Sequence, residues 1–357
     1  MFFVDACFGR RMVCLVYFFV FIGIFSAFAM GNAQGRSAIS KQETVVLAEL
    51  APAGRDPASE KVEAEQGPGN PLNPQGTAPE RQEQERGEAV MKALAAAYPD
   101  RVGPAVRRQT SPGDTGDWAV PVRGVWYYYA EGRLLPEELR DKAADYDPQP
   151  FYNYAENLPP WREPGPEETA RFRDQAARRQ QHPPKRSQHF YDALWRAHTR
   201  DESYDRLKSI RLFGKTLLIH YAIMEELALV EERILAEAKT NPQVRQWING
   251  LNTLDAWNWR SIADTQSRSF HAYGAALDLL PKSSGRLETY WLWTARTQPE
   301  WWAIPYEKRL HPPEPVIKAF EAYGFIWGGK WLFYDTMHFE YRPEILILNK
   351  LPISDLR

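Results

Sequence analysis

The chain has 357 residues and a formal net charge of −2 at pH 7. This balance carries no basic excess, so it speaks against nucleic acid or another polyanion as a partner. Both cysteines, Cys7 and Cys14, lie near the N-terminus. The rest of the chain therefore holds no disulfide, and any metal bound there must be held by nitrogen and oxygen atoms.

The N-terminus has the pattern of an export signal. Arg10 and Arg11 precede an apolar run from Met12 to about Ala29, which ends in Ala27-Phe28-Ala29. This pattern predicts a signal peptide over residues 1–29 with an A-x-A cleavage site, and a second possible cut follows Ala33. An uncleaved membrane anchor is the alternative, because a run of about 18 apolar residues is near the lower limit for crossing a bilayer. Cleavage predicts a periplasmic or secreted protein, with a membrane as partner only if the segment is retained.

Residues 30–87 are rich in Gly, Pro, Gln, Glu, Ala and Ser. Such a composition buries too little apolar surface to offset chain entropy, which predicts a disordered linker with order beginning near Glu88. We expect a small N-terminal module and an irregular arm over 88–186, and a second globular domain over 187–357.

The N-terminal module has a helical face followed by strands. Val90, Met91, Leu94 and Ala97-Tyr98 recur at helical spacing, and Pro99 ends the run. Trp118–Val122 and Val125–Tyr129 flank Arg123-Gly124, which predicts a small antiparallel sheet. The Tyr127–Tyr129 row is either a stacking surface for carbohydrate or peptide or part of the core, and the core interpretation is favoured.

In the second domain, the pattern predicts a long helix over Lys215–Lys239 and a shorter one from Asn241-Pro242 to Ile248. His220 lies in the first of these and is interpreted as a packed side chain rather than a ligand. Trp257–Ala263 and Ala275–Leu280 are predicted to be strands.

Two segments near the C-terminal end carry the chemistry. One is Ser269–Asp278, with His271 and Asp278, and the other is Asp335–His338. Two imidazoles, one carboxylate ligand and a second carboxylate as base are the inventory of a catalytic zinc site with an open position for water. A loop followed by a strand can bring His271 and Asp278 together, with Gly274 allowing close backbone approach.

These motifs resemble the M15 family of zinc peptidases, which cut peptidoglycan stem peptides as D-alanyl-D-alanine carboxypeptidases or L-alanyl-D-glutamate endopeptidases. The resemblance extends from about Trp257 to Glu344. It rests on an Arg, here Arg260, and on three patterns that follow it. The pattern S-x-H-x-x-G-x-A-x-D is Ser269–Asp278, the pattern G-F-x-W-G-G-x-W is Gly324–Trp331, and the pattern D-x-M-H-F-E is Asp335–Glu340. It implies an α+β fold of the hedgehog/DD-peptidase type, with a small antiparallel sheet flanked by helices.

The resemblance also implies roles for individual residues. The zinc (Zn2+) ligands would be His271, Asp278 and His338. Asp335 would be the general base and then the acid, and Arg260 would stabilise the developing oxyanion or hold the carbonyl. Ser269 would lie near the terminal carboxylate of the substrate, or else brace its loop. Glu340 would support the ligands rather than react, and some of Trp291, Trp293, Trp301 and Trp302 would wall the cleft.

The function expected from the sequence is a zinc-dependent peptidase acting on peptidoglycan stem peptides, first of all a D-alanyl-D-alanine carboxypeptidase. The alternatives are an L-alanyl-D-glutamate endopeptidase and a catalytically silent zinc-containing binding module of the cell envelope. The presence of Asp335 beside a full ligand set argues against the silent module, because a purely structural zinc site needs no base. A metal buffer is a weaker alternative, because it would need several clustered ligand runs.

Overall fold

The computed structural model of the protein describes residues 78–110 and 115–354. The predicted signal peptide lies outside the described residues, as does the predicted linker up to residue 77. In the described ranges the α-helices are α1 (Ala78–Ala97), α2 (Pro166–Gln181), α3 (His189–Trp195), α4 (Arg200–Tyr204), α5 (Met224–Thr240), α6 (Pro242–Gly250), α7 (Trp291–Thr294), α8 (Glu314–Ala322) and α9 (Pro343–Leu348). None of them has the length and apolarity that a membrane-spanning helix requires.

The strands form two four-stranded antiparallel sheets and one hairpin. The first sheet has the order β1-β2-β3-β4 and the second the order β7-β8-β10-β9, while β5 pairs with β6. Their bounds are β1 (Val106–Arg108), β2 (Asp117–Val122), β3 (Val125–Tyr128), β4 (Leu135–Pro136), β5 (Leu207–Leu212), β6 (Lys215–His220), β7 (Leu251–Asp255), β8 (Ala276–Pro281), β9 (Phe325–Trp327) and β10 (His338–Tyr341). This mixture of helices and small antiparallel sheets confirms the predicted α+β class.

One continuous cluster of buried apolar side chains runs through both sheets and the helices around them. It includes Leu94 of α1, Val120 of β2, Leu227 of α5, Phe320 of α8 and Phe339 of β10. The segment before residue 187 therefore packs on the segment after it and shares its core. The boundary at residue 187 stays a sequence-based prediction.

Several predicted elements are confirmed. Helix α1 buries the predicted apolar face, although it begins at Ala78 rather than near Glu88. Strands β2 and β3 pair in antiparallel register, with Val122 opposite Val125. The row of tyrosines at 127–129 is buried, which favours its interpretation as core. Helix α6 lies where the sequence placed it.

The long helix predicted over Lys215–Lys239 is wrong in its first part. Residues Lys215–His220 form β6, and the helix α5 begins only at Met224. The two-residue turn Phe213-Gly214 has positive φ at both positions, 46° and 75°, and it joins β5 to β6. Such a turn matches the twist of an antiparallel hairpin, and it outweighs the local helical pattern.

Two further expectations need correction. Trp257–Ala263 is not a strand but an irregular segment with a single bridge, between Ser261 and Arg268. The arm, which is the part of residues 88–186 that follows Asp147, is not wholly irregular, because it contains the 16-residue helix α2. Phe172 and Ala176 of α2 pack against a cluster of buried aromatic rings that includes Trp291.

Candidate metal centre and cleft

Strand pairing brings two of the predicted ligands face to face. In the antiparallel register of β8 and β10, His338 lies directly opposite Asp278. Side chains at such a position on the same face of a sheet are close neighbours. His338 Nδ1 is 2.9 Å from Asp278 Oδ1. The pairing of β8 with β10 is therefore enough to bring two of the three predicted ligands, Asp278 and His338, together.

A short 3-10 turn, Phe270–Tyr273, supplies the third predicted ligand. Ser269 caps this turn, since its hydroxyl accepts a 3.3 Å hydrogen bond from the His271 N–H. The turn ends at Gly274 with φ of +68°, where a Cβ atom would lie 2.6 Å from Leu207 Cδ2 and 2.8 Å from the His220 nitrogen. Close packing at this backbone position therefore requires glycine, as the sequence predicted.

The three ligand atoms converge. His271 Nε2 lies 3.2 Å from Asp278 Oδ1 and 3.1 Å from His338 Nδ1. All of these atoms lie within 4.8 Å of one another, and both imidazoles are buried. Ligand atoms of a tetrahedral zinc site with bonds of about 2.0–2.1 Å lie about 3.3 Å apart, so this spacing suits one small cation. The group can hold a metal ion.

Each imidazole is oriented by a contact on its other nitrogen. His271 Nδ1 contacts the carbonyl oxygen of Ala256, and His338 Nε2 lies 3.2 Å from Glu340 Oε2. A carbonyl or carboxylate on the second nitrogen fixes the tautomer that presents the first nitrogen to a metal. Although burial alone would lower it, hydrogen bonds to Asp278 and Glu340 raise the pKa of His338 to about 10. The site therefore attracts positive charge, whether as protons or as a cation.

The Glu340 carboxylate is itself held in place through its second oxygen atom. Arg342 Nη1 donates to Glu340 Oε1 at 3.3 Å, and Arg342 Nε donates to Glu344. All three charged side chains are buried. Buried charges need partners, and this alternating row of carboxylate, guanidinium and carboxylate provides them. The sequence indicated a supporting role for Glu340 but gave no sign of Arg342 or Glu344.

Asp335 lies on the turn before β10. Its backbone N–H donates to the carbonyl oxygen of Gly328 at 3.0 Å, and a Cβ at Gly328 would lie 2.5 Å from the Asp335 carbonyl oxygen. Among the described residues, its buried Oδ1 has no hydrogen-bond partner. Burial raises the pKa of Asp335 to about 6. A carboxylate oxygen left without a partner in such a site is available for proton transfer.

A cavity of about 780 Å³ contains the whole group. The predicted residues His271, Asp278, Asp335 and His338 line it, and so do Ser269 and Arg260. The Arg260 side chain is exposed, and its Nη1 donates to the Ser261 carbonyl oxygen at 3.3 Å. The structure thus brings every predicted site residue to one cavity.

The structure also shows which of the four tryptophans line the cavity. Trp293, which is 51 % exposed, and Trp291 line the cavity, whereas Trp301 and Trp302 do not. Trp291, Trp301 and Trp302 all belong to one buried aromatic cluster. Tyr290, which the sequence did not single out, also lines the cavity. Its pKa is raised by burial and then by the charge of Asp335.

One wall of the cavity comes from the arm before residue 187. The residues of the arm that line the cavity include Gln149, Tyr152, Gln175, Arg179 and Arg186. The sequence held no signal for these contributions, because the arm lies far from the ligand motifs along the chain. Tertiary packing alone adds this wall.

Comparison with known proteins agrees with this geometry. Residues 263–341 match a peptidase M15 family model described as D-alanyl-D-alanine carboxypeptidase. Residues 90–151 match a model described as a domain of unknown function (DUF8518). No curated protein and no solved structure matches the chain. The matched peptidase segment includes the three convergent ligand residues and Asp335, so the chain carries a peptidase domain of the M15 family.

Proposed function

We propose that this protein is a zinc-dependent peptidase that hydrolyses peptidoglycan stem peptides, acting first of all as a D-alanyl-D-alanine carboxypeptidase. The observation that carries the proposal is the convergence of His271, Asp278 and His338 in one cavity with the unpartnered oxygen of Asp335. Three ligands with a carboxylate beside them are typical of a catalytic rather than a structural zinc site.

The donor set supports zinc as the cofactor. Two imidazole nitrogens and one carboxylate oxygen are common zinc ligands, and they leave a fourth position open. A bound zinc ion supplies Lewis acidity, which polarises a peptide carbonyl and makes a water molecule easier to deprotonate. Ala256 and Glu340 hold the two imidazoles in the orientation that binding requires.

Asp335 is the proposed general base. Its carboxylate accepts the proton of the attacking water and afterwards returns that proton to the nitrogen of the leaving amine. The pKa of Asp335, about 6, leaves the group largely ionised at neutral pH, and a nearby cation lowers this pKa further. The proton is thus taken up and released by one group within a single turnover.

Arg260 is the proposed stabiliser of negative charge on the carbonyl oxygen. Within the described part of the chain it forms no ion pair, so its guanidinium charge is not already neutralised. A preorganised cation beside the reacting carbonyl lowers the barrier because it interacts more strongly with the transition state than with the substrate. The Ser269 hydroxyl is proposed to assist with the terminal carboxylate of the substrate while it caps the turn before His271.

The proposed location is the periplasm or the outside of the cell. It rests on the export pattern over residues 1–29 and on the absence of cysteine from the rest of the chain. Peptidoglycan is the peptide-containing polymer available there, which agrees with a family that cuts its stem peptides.

The test is mass spectrometry of purified muropeptides incubated with the protein, with and without a chelator. We expect loss of the terminal D-Ala, inhibition by the chelator, and no product from Asp335→Ala. Cleavage between L-Ala and D-Glu would instead identify an endopeptidase. If both the wild type and Asp335→Ala leave every muropeptide intact while zinc still binds, the protein is a binding module and the catalytic proposal is wrong.

A further inference from the structure

Six arginine and lysine side chains line the cleft, and they fall into two sets. Three form ion pairs with carboxylates: Arg268 with Asp192, Lys330 with Glu321, and Arg342 with Glu340 and Glu344. The other three, Arg179, Arg186 and Arg260, have no carboxylate within 4.0 Å among the described residues. One cleft therefore holds three guanidinium groups that have no ion-pair partner, and two of them come from the arm.

Arg179 is fixed in position rather than free in solvent. It extends from α2, and its Nη2 donates to the carbonyl oxygen of Ala263 at 3.3 Å. Its guanidinium carbon lies 4.9 Å from the ring centre of Phe333 and 5.5 Å from that of Trp291. Its Nε is buried without a hydrogen-bond partner. Stacking on two rings orients the planar donor group but leaves part of its donor capacity unused.

Arg186 is fixed by both its backbone and its side chain. Its N–H donates to Ser267 Oγ at 3.1 Å, and its Nε donates to the Pro148 carbonyl oxygen at 3.2 Å. Neither of its Nη atoms donates a hydrogen bond within the described residues. Burial and then the charge of Arg179 lower the pKa of Arg186, so the two guanidinium groups act on each other.

Two partly buried guanidinium groups that repel each other and have no carboxylate in an ion pair are costly for the protein alone. An anionic ligand removes this cost and uses the free donors, because a carboxylate accepts two parallel hydrogen bonds from a guanidinium fork. We propose that Arg179 and Arg186 form a subsite for a free carboxylate of the peptide substrate, away from the bond that is cut. This inference rests on the proposed function for the identity of the ligand, and both arginines lie outside the segment that matches the peptidase family.

The test is calorimetric binding to the zinc-loaded Asp335→Asn protein, which keeps the ligands but lacks the base. The probes are the stem peptide L-Ala-γ-D-Glu-L-Lys-D-Ala-D-Ala, its form with the D-Glu carboxylate amidated, and its C-terminal amide. We expect amidation of the D-Glu carboxylate to weaken binding about tenfold, the cost of a charge-assisted hydrogen bond. A loss confined to the C-terminal amide would place the bound carboxylate next to the bond that is cut and would overturn the proposal. Adding Arg179→Gln and Arg186→Gln should remove this difference, while Arg179→Lys should keep part of it.

The matched control is Arg178→Gln, because Arg178 lies on the same helix but is exposed and pairs with Asp174. Thermal unfolding of each variant shows whether α2 stays packed. The inference is wrong if the double glutamine variant remains folded and still discriminates between carboxylate and amide, or if the parent binds none of the probes.

The two proposals can fail separately. Cleavage of muropeptides by the wild type with no carboxylate preference would leave the peptidase proposal standing and overturn the subsite. A carboxylate preference that depends on Arg179 and Arg186, without cleavage by the wild type, would support the subsite and overturn the proposed catalytic function.

Discussion

The phenolic hydroxyl of Tyr98 donates a 2.8 Å hydrogen bond to Glu344 Oε2, across 246 positions of the sequence. Tyr98 follows helix α1 in the N-terminal module, and Glu344 lies in α9 directly after the strand that carries His338. Glu344 also pairs with Arg342, which in turn reaches Glu340 beside the imidazole of His338. A continuous row of buried polar groups therefore connects the N-terminal module to the candidate metal centre.

Tyr98→Phe should destabilise the protein without changing its fold. The substitution removes one donor to a buried carboxylate, which costs about 1–3 kcal/mol of the free energy of unfolding. Denaturant unfolding measures this change. Tyr204→Phe is the control, because Tyr204 is 54 % exposed and should change stability by less than about 0.5 kcal/mol. Equal effects of the two substitutions would contradict a stabilising role for the Tyr98–Glu344 contact.

Replacing Asp335 by Asn should reduce turnover and stabilise the metal-free protein at neutral pH. The pKa of this carboxyl is raised, so its ionised form is disfavoured in the folded state, and stability is lost as pH rises through about 6. General-base catalysis contributes about 10²–10⁴-fold in rate, which sets the expected loss. Muropeptide hydrolysis and thermal unfolding in chelator measure the two effects. Asp255→Asn, at an exposed position on the same cavity, should show neither.

Glu340→Gln should weaken zinc binding by about 10–100-fold, because the carboxylate orients His338 and increases its basicity. Competition against a chromophoric chelator measures the dissociation constant directly and does not depend on activity. His271→Ala should abolish tight binding, since it removes a ligand. His198→Gln, at an exposed histidine away from the cavity, should bind zinc like the wild type. Unchanged affinity in His271→Ala would show that this cluster is not the zinc site.

Acidification should destabilise the protein through His220. This imidazole is buried, accepts from the Ala222 N–H and contacts the carbonyl oxygen of Trp195. Burial lowers its pKa to about 4, whereas an unfolded chain takes up the proton near pH 6.5. Its contribution is therefore present above pH 6.5 and is lost as pH falls towards 4, by up to about 3 kcal/mol.

The measurement for His220 is denaturant unfolding at several pH values, compared between the wild type and His220→Gln. Taking the difference between the two proteins removes the contributions of the titratable groups that they share. We expect a smaller loss of stability on acidification in the variant. Parallel curves for the two proteins would assign the acid sensitivity to other groups.

Gly274→Ala should cost more stability than Gly285→Ala, although the two glycines have similar φ angles of +68° and +63°. Both substitutions introduce about 1–2 kcal/mol of backbone strain. At Gly285 an added Cβ meets open space, whereas at Gly274 it approaches Leu207 and the backbone of His220. We expect a further cost of about 1–3 kcal/mol there. Equal unfolding free energies of the two variants would show that the turn carrying His271 relaxes without penalty.

The elements that the sequence predicted correctly have local causes. Asn241 caps α6 through its side chain and Pro242 starts the helix, so both signals lie within a few residues of the boundary. Strand β10 places His338 and Glu340 on one face by simple alternation. The incorrect prediction of one long helix also has an identifiable cause. A helical pattern over Lys215–Lys239 was outweighed by a hairpin partner and a turn whose positive φ angles the pattern does not reveal.

The sequence by itself determined the chemistry of the candidate site, because imidazole and carboxylate at these spacings are properties of short segments. It indicated His271, Asp278, His338 and Asp335. Only the tertiary structure decided what surrounds them: the register of β8 and β10, the arginines of the arm in the cleft, and the Tyr98–Glu344 contact. Such contacts join residues far apart in the chain, and the free energy of packing the whole core selects them.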